Sequence, residues 1–141
     1  MIKMKLLKTI IILIVISSQL NAYTDYFNEG LILFEKKEFE KAKFKFEQDI
    51  VFNPKSEKSY LYLSKIFNKQ EKKDLEEQNL NTVILLNPKS EEAYYNLAKL
   101  KLKKSDFNES IKLLDRLMAF CNNYCEKSKN LKIEVENSLK Q

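Results

Sequence analysis

Apolar residues return every three or four positions along most of this chain, with charged residues between them, and that spacing predicts helix after helix. Tyr26, Phe27, Gly30, Leu33 and Phe34 form one such stripe, and Phe39, Ala42, Phe46 and Ile50 form the next. The polar run Glu35-Lys36-Lys37-Glu38 separates them as a turn. Tyr60, Leu63, Ser64 and Phe67 predict a third helix, and Leu75, Leu80, Val83, Ile84 and Leu86 a fourth. Tyr94, Leu97, Ala98 and Lys101 follow, then a turn at Lys104-Ser105 and a stripe of Ser110, Leu114, Leu117 and Met118. Leu131, Val135 and Leu139 give a last, narrow stripe on an otherwise polar helix over about 126–140.

The pattern repeats. Asn53-Pro54-Lys55-Ser56-Glu57 recurs letter for letter as Asn87-Pro88-Lys89-Ser90-Glu91, a step of about 34 residues, and these segments hold both prolines of the chain. The same step aligns Tyr26, Tyr60 and Tyr94, the small residues Gly30, Ser64 and Ala98, and the large residues Phe46, Leu80 and Leu114. A repeat of that length is one supersecondary unit copied along the chain. Each proline ends a helix, since it removes a donor and disfavours helical geometry in the residue before it. Ser56 and Ser90 are placed to cap the helices that follow, Thr24 or Asp25 to cap the first, and Asp106-Phe107-Asn108-Glu109 reads as a capping box. The units therefore fall at about 23–56, 57–90 and 91–124, with the polar last helix as a solvating cap. The aligned tyrosines are expected to pack between adjacent units.

Composition agrees. One glycine and two prolines in 141 residues leave little turn chemistry for a β-rich fold, while 44% hydrophobic residues suffice for a core. The formal charge is +5, but Lys3, Lys5 and Lys8 account for much of it, and the remaining chain carries 22 basic against 20 acidic residues. That is too weak a basic footprint for nucleic-acid binding.

Those three lysines precede the apolar run Ile10–Ile16 and the polar exit Ser17-Ser18-Gln19-Leu20-Asn21-Ala22. Residues 1–22 thus read as a secretory signal peptide, with cleavage near Ala22. An uncleaved membrane anchor is the alternative, although the run is shorter than the roughly 20 apolar residues of a spanning helix. The expected location is outside the cytoplasm, in the periplasm or cell envelope. Residues 23–141 form the folded domain.

Catalytic chemistry has little to work with. There is no histidine and no glycine-rich phosphate loop, and neighbouring carboxylates such as Glu76-Glu77 and Glu91-Glu92 read as solvated helix faces. No cofactor or metal site is expected, since two thiols without histidine make a poor zinc site. Cys121 and Cys125 form an even pair in an exported chain, which suggests a disulfide stapling the turn before the cap helix. Two reduced thiols are the alternative, and a helix running straight through both would fit a disulfide poorly.

On Tyr26, Gly30, Ala42, Phe46 and Pro54, then Tyr60, Leu63, Ser64, Leu80 and Pro88, then Tyr94, Leu97, Ala98, Phe107 and Leu114, the chain resembles the tetratricopeptide repeat (TPR) family over about residues 23–124. It departs from the family at Glu29, where leucine is preferred, and at Lys101, where an aromatic is. Glu76 replaces the small residue at the close approach of two helices, and Leu75 is expected to take over that packing with a slight rotation. The resemblance implies an all-α solenoid of about three helix-turn-helix units plus a capping helix. Its first helices would line a concave groove that binds a protein or peptide. By analogy the groove residues are Phe27, Leu31 and Phe34, then Leu61, Lys65 and Lys69, then Tyr95, Lys99 and Lys103. Phe27, Leu31 and Tyr62 stand where the family's carboxylate clamp wants polar residues, so that clamp is not expected. The lysines would favour an acidic partner; ordinary solvation is their other reading. The functional expectation is a non-enzymatic interaction scaffold of the bacterial envelope. The rivals are a membrane-tethered surface protein held by the uncleaved segment, contacting lipid only in that case, and a regulatory subunit of an envelope enzyme.

Overall fold

The computed structural model describes residues 25–140, which form seven α-helices and no strand. The leader expected at 1–22 lies outside the described residues. The helices are α1 (Tyr26–Glu35), α2 (Phe39–Phe52), α3 (Glu57–Lys69), α4 (Lys73–Leu86), α5 (Glu91–Lys103), α6 (Phe107–Met118) and α7 (Cys125–Ser138). They pack as pairs, α1 on α2, α3 on α4 and α5 on α6, and the pairs stack through α2 on α3 and α4 on α5. The last helix closes the stack against α6 and touches α5.

All three turns inside the pairs have the same backbone. Lys37, Glu71 and Ser105, one repeat apart, sit in the left-handed region with φ of 62°, 57° and 59°. The next residue returns a hydrogen bond to the last helical turn: Glu38 N to Leu33 O, Lys72 N to Phe67 O and Asp106 N to Lys101 O, at 2.9 to 3.0 Å. This is a Schellman ending, whose left-handed position is usually glycine. A side chain there costs about 1–2 kcal/mol. Ser105→Gly is therefore expected to stabilise the protein by about 1 kcal/mol net of glycine's freedom in the unfolded chain. Urea denaturation measures it, and an unchanged midpoint would show that the turn is not strained.

Between pairs, Asn53 and Asn87 leave helical geometry ahead of Pro54 and Pro88, with ψ of 79° and 90°. Ser56 and Ser90 occupy the N-cap positions, but neither side chain makes a cap bond. The Ser56 hydroxyl donates instead to Ser59 Oγ, which hydrogen-bonds the Asp49 carboxylate and ties α3 to α2. Asp25 does cap α1, accepting from Asn28 N at 3.1 Å. Only half of the capping box forms at α6: Asp106 accepts from Glu109 N, while its own N–H is already committed to Lys101 O.

The core follows the repeat. Phe46, Leu80 and Leu114 are fully buried, and so are the small residues beside the pair contacts, Gly30, Ser64 and Ala98. The tyrosines differ from one another. Tyr94 is buried against Phe120, and Tyr60 half-buried against the C-terminal core cluster. Tyr26 stacks on Phe52 of its own pair, because no described helix precedes it. The cap helix buries Ser128, Leu131 and Val135, whereas Leu139 lies past its end and is exposed.

Cys121 and Cys125 are disulfide-bonded, with Cα atoms 5.4 Å apart. The bond is accommodated because α6 stops at Met118 and α7 starts at Cys125, so the two thiols flank a turn and share no helix. The Glu91 carboxylate fills that turn, accepting from Asn122 N, Asn123 N and Tyr124 N, each at 2.9 Å.

A candidate ligand cleft across three helices

Helices α1, α3 and α5 turn one face each toward a cleft of about 340 Å³. The spacing of four that joins Lys65 to Lys69, and Lys99 to Lys103, keeps each pair on one helix face. Phe34, Lys65, Lys69 and Lys99 line the cleft as their spacing implies. Lys103 lines an adjoining hollow with Asn68, Glu71 and Glu76. The other expected groove residues are more committed to packing. Phe27 sits in a ring cluster, 5.8 Å from both Phe46 and Tyr62. Leu61 and Tyr95 are half-buried against the C-terminal core cluster, Tyr95 beside Tyr124. Leu31 is half-buried and does not line the cleft.

Ser64, Asn68, Glu76, Glu92 and Asn96 complete the lining and were not anticipated there. Three of them were within reach of the same helical arithmetic. Asn68 follows Lys65 by three, and Glu92 and Asn96 precede Lys99 by seven and three.

The cations differ in their freedom. Lys65 bridges to Glu92 at 2.8 Å, tying α3 to α5, and lies 4.4 Å from the centre of the Tyr62 ring. Lys69 lies over Phe39 and Lys99 over Tyr95, at 5.2 and 6.0 Å. Neither they nor Lys103 form an ion pair among the described residues.

Glu76 corrects two sequence expectations. It is not a solvated carboxylate, being only 4% exposed, and Leu75 does not replace it, being 41% exposed. The phase of α4 is fixed by Leu80 and Val83, four and seven residues on and both buried. Position 76 must then face inward, and a rotation to bring in Leu75 would expose those two. Ala42 and Ser110 hold the equivalent place in the other pairs, both fully buried, with the Ser110 hydroxyl donating to Ala98 O at 2.8 Å. In the middle pair Asn68 Nδ2 donates to Glu76 Oε1 at 2.9 Å. Burial raises the Glu76 pKa above the ordinary carboxylate range, against the opposing pull of the Asn68 hydrogen bond and of Lys103, Lys99 and Lys73. Glu77 is not free either: it accepts from Lys101 at 2.6 Å and from Lys104 at 2.9 Å, and those bonds hold its pKa low. Lys101, placed where an aromatic was expected, is held by that ion pair.

The sequence matches no described protein family and no curated protein. Solved structures do match. The TPR2B domain of yeast Sti1, described as a pHsp70 complex, superimposes with a TM-score of 0.74 at 18% identity, covering 81% of this chain and 95% of that one. The first TPR domain of Spaghetti (RPAP3), bound to an HSP90 peptide, gives 0.75 at 14% identity, covering 82% and 91%. The Yersinia enterocolitica type III secretion chaperone SycD, with a peptide of the translocator YopD, gives 0.74 at 13% identity, covering 80% and 91%. No helix among the described residues is long and apolar enough to cross a membrane. At these identities the likeness is one of fold, and the fold is an all-α solenoid of tetratricopeptide-repeat units.

Proposed function

We propose that this chain is a non-enzymatic interaction scaffold of the bacterial cell envelope, and that the cleft across α1, α3 and α5 binds an acidic segment of another protein. The observation that carries the reading is the set of lysines without ion pairs among the described residues, Lys69 and Lys99 in the cleft beside amides and a ring, and Lys103 in the adjoining hollow. Unpaired cations in a cleft steer acidic partners and fix their register. Two solved structures of the same fold are, by their descriptions, complexes with peptides, and a third is a complex with pHsp70, which supports the same use here. The envelope assignment rests on the leader-like first 22 residues and on the Cys121–Cys125 disulfide, a bond that persists in oxidising compartments.

The test is crosslinking in the native envelope, followed by kinetics on the captured partner at two salt concentrations. Lys69→Glu with Lys99→Glu is expected to slow association and flatten its salt dependence, with the melting temperature unchanged, since both side chains are exposed. Wild-type kinetics in that variant would move the binding surface away from the cleft. The mass of the mature protein checks the leader: loss of about 22 residues is the expected result.

A further inference from the structure

Glu76 is unexplained by the stacking of the helices. The first and third pairs build the same contact with Ala42 and Ser110, so packing there does not call for a carboxyl group, and burying one is unfavourable. Among the described residues only one of its oxygens has a partner, Oε1 with Asn68, while the group as a whole lines both the main cleft and the adjoining hollow. A costly group aimed into a cleft marks a place where function has displaced stability.

The surroundings decide what such a group would meet. From α3 the cleft presents Lys65, Lys69, Asn68 and Ser64, with the charge of Lys65 cancelled by Glu92 of α5. From α5 it also presents Lys99 and Asn96, and Lys103 in the hollow; α4 itself adds Lys73, the α3–α4 turn Glu71, and α1 only the Phe34 ring. The field over the floor is therefore positive, and a cationic side chain would be repelled. An anionic one would be drawn between the lysines but would then face a second carboxylate, and two carboxylates sharing a site do not both stay ionised.

We propose that Glu76 is the specificity-determining group of the cleft, taking up one proton from solvent when an acidic side chain of the partner seats between Lys69 and Lys99, and donating it in a hydrogen bond to that side chain. This rests on the acidic-segment reading above and adds to it a coupled proton. Burial already biases the free carboxyl toward its protonated form, which lowers the cost of that uptake. Binding then weakens as pH rises, by up to about tenfold per unit above the pKa of the free carboxyl. The chain has no histidine, so the side chain that most often titrates near neutrality does not mask the contribution of this carboxyl.

The probe is fluorescein-labelled hexaglutamate amide, whose carboxylates stay ionised above pH 6. Its affinity is measured at low salt at pH 6 and pH 8 on the wild type and on Glu76→Gln, which carries a neutral donor at either pH. The wild type is expected to bind several-fold more tightly at pH 6, and Glu76→Gln to bind at pH 8 about as well as the wild type does at pH 6. Calorimetry in two buffers of different ionisation heat should show proton uptake in the wild type alone. Glu76→Ala, which copies Ala42, is expected to fold with a raised melting temperature and to bind without pH dependence, more weakly than Glu76→Gln. Equal wild-type affinity at both pH values, or a pH dependence that survives in Glu76→Gln, overturns the proton coupling and leaves the acidic-segment reading standing. Absence of binding at either pH, or binding indifferent to Lys69→Glu with Lys99→Glu, overturns that reading and this inference together.

Discussion

Gly30→Ala is expected to destabilise the protein by about 1–3 kcal/mol, although alanine in mid-helix normally gains about 1 kcal/mol over glycine. The added Cβ would stand 2.7 Å from Phe46 Cε1 and 2.8 Å from Cδ1, closer than carbon atoms approach. Phe46 has no room to yield. It is fully buried, with the Tyr62 ring centred 5.2 Å from its own and the Phe27 ring 5.8 Å away. At the equivalent places the second pair holds Ser64 with Leu80, and the third Ala98 with Leu114. The largest core residue thus goes with the smallest partner. Phe46→Leu alone leaves a void and costs about 1–2 kcal/mol. The double variant Gly30→Ala with Phe46→Leu copies the third pair. It is expected to be more stable than Gly30→Ala, with a coupling of about 1–3 kcal/mol between the sites. Urea denaturation of the four proteins in the cycle measures this, and strictly additive losses would sink the argument.

That exchange of volumes was visible in the sequence as a period, and most of the fold was visible in the same way. Gly30, Ser64 and Ala98 align only at a step of about 34, and the step places helices, turns and proline stops together. What the period could not give is the environment of a residue that breaks it. Glu76 looked like a misplaced surface carboxylate with Leu75 ready to replace it. Reading α4 from Leu80 and Val83 backwards assigns Glu76 to the interior, and its partner Asn68 comes from a different helix. The groove was legible in helical phase but not along the helix: Leu61 and Tyr95, one turn before Lys65 and Lys99 on the same faces, pack against the core, whereas the lysines line the cleft. Ser56 and Ser90 show a different limit. Their positions were right, but no cap bond forms, and the Ser56 hydroxyl goes to Ser59. Lys37, Glu71 and Ser105 adopt a glycine conformation that none of their side chains advertises.

Removing the Cys121–Cys125 bond is expected to cost about 2 kcal/mol by the loop-closure relation for so short a ring, and to release α7 before the rest of the stack. The bond does more than shorten the unfolded chain. It closes the turn in which the N–H groups of Asn122, Asn123 and Tyr124 converge on the Glu91 carboxylate. Burial pushes the Glu91 pKa up, but the N–H donors of Asn122, Tyr124 and Asn123 outweigh it and hold the pKa below the ordinary range. A carboxyl with a lowered folded pKa contributes stability that is full above its unfolded pKa, about 4.3, and is lost as pH falls through the folded value. The melting temperature of the wild type should therefore fall more steeply than that of Glu91→Gln below about pH 4.3. Glu38 and Glu77 also have lowered pKa values, so the difference between the two proteins is the readout, and not the wild-type curve alone. The two devices should also depend on each other. With the disulfide intact the three donors are pre-set, and Glu91→Gln should lower the melting temperature clearly. In Cys121→Ser with Cys125→Ser the donors disperse, and the same change should cost less. Hydrogen exchange locates the effect: α7 amides are expected to lose protection in the disulfide-free protein while those of α2, α3 and α4 keep theirs. Equal cost of Glu91→Gln in both backgrounds, or unaltered protection of α7, would mean that the cap helix is held by Leu131 and Val135 alone and that the stapled turn only follows it.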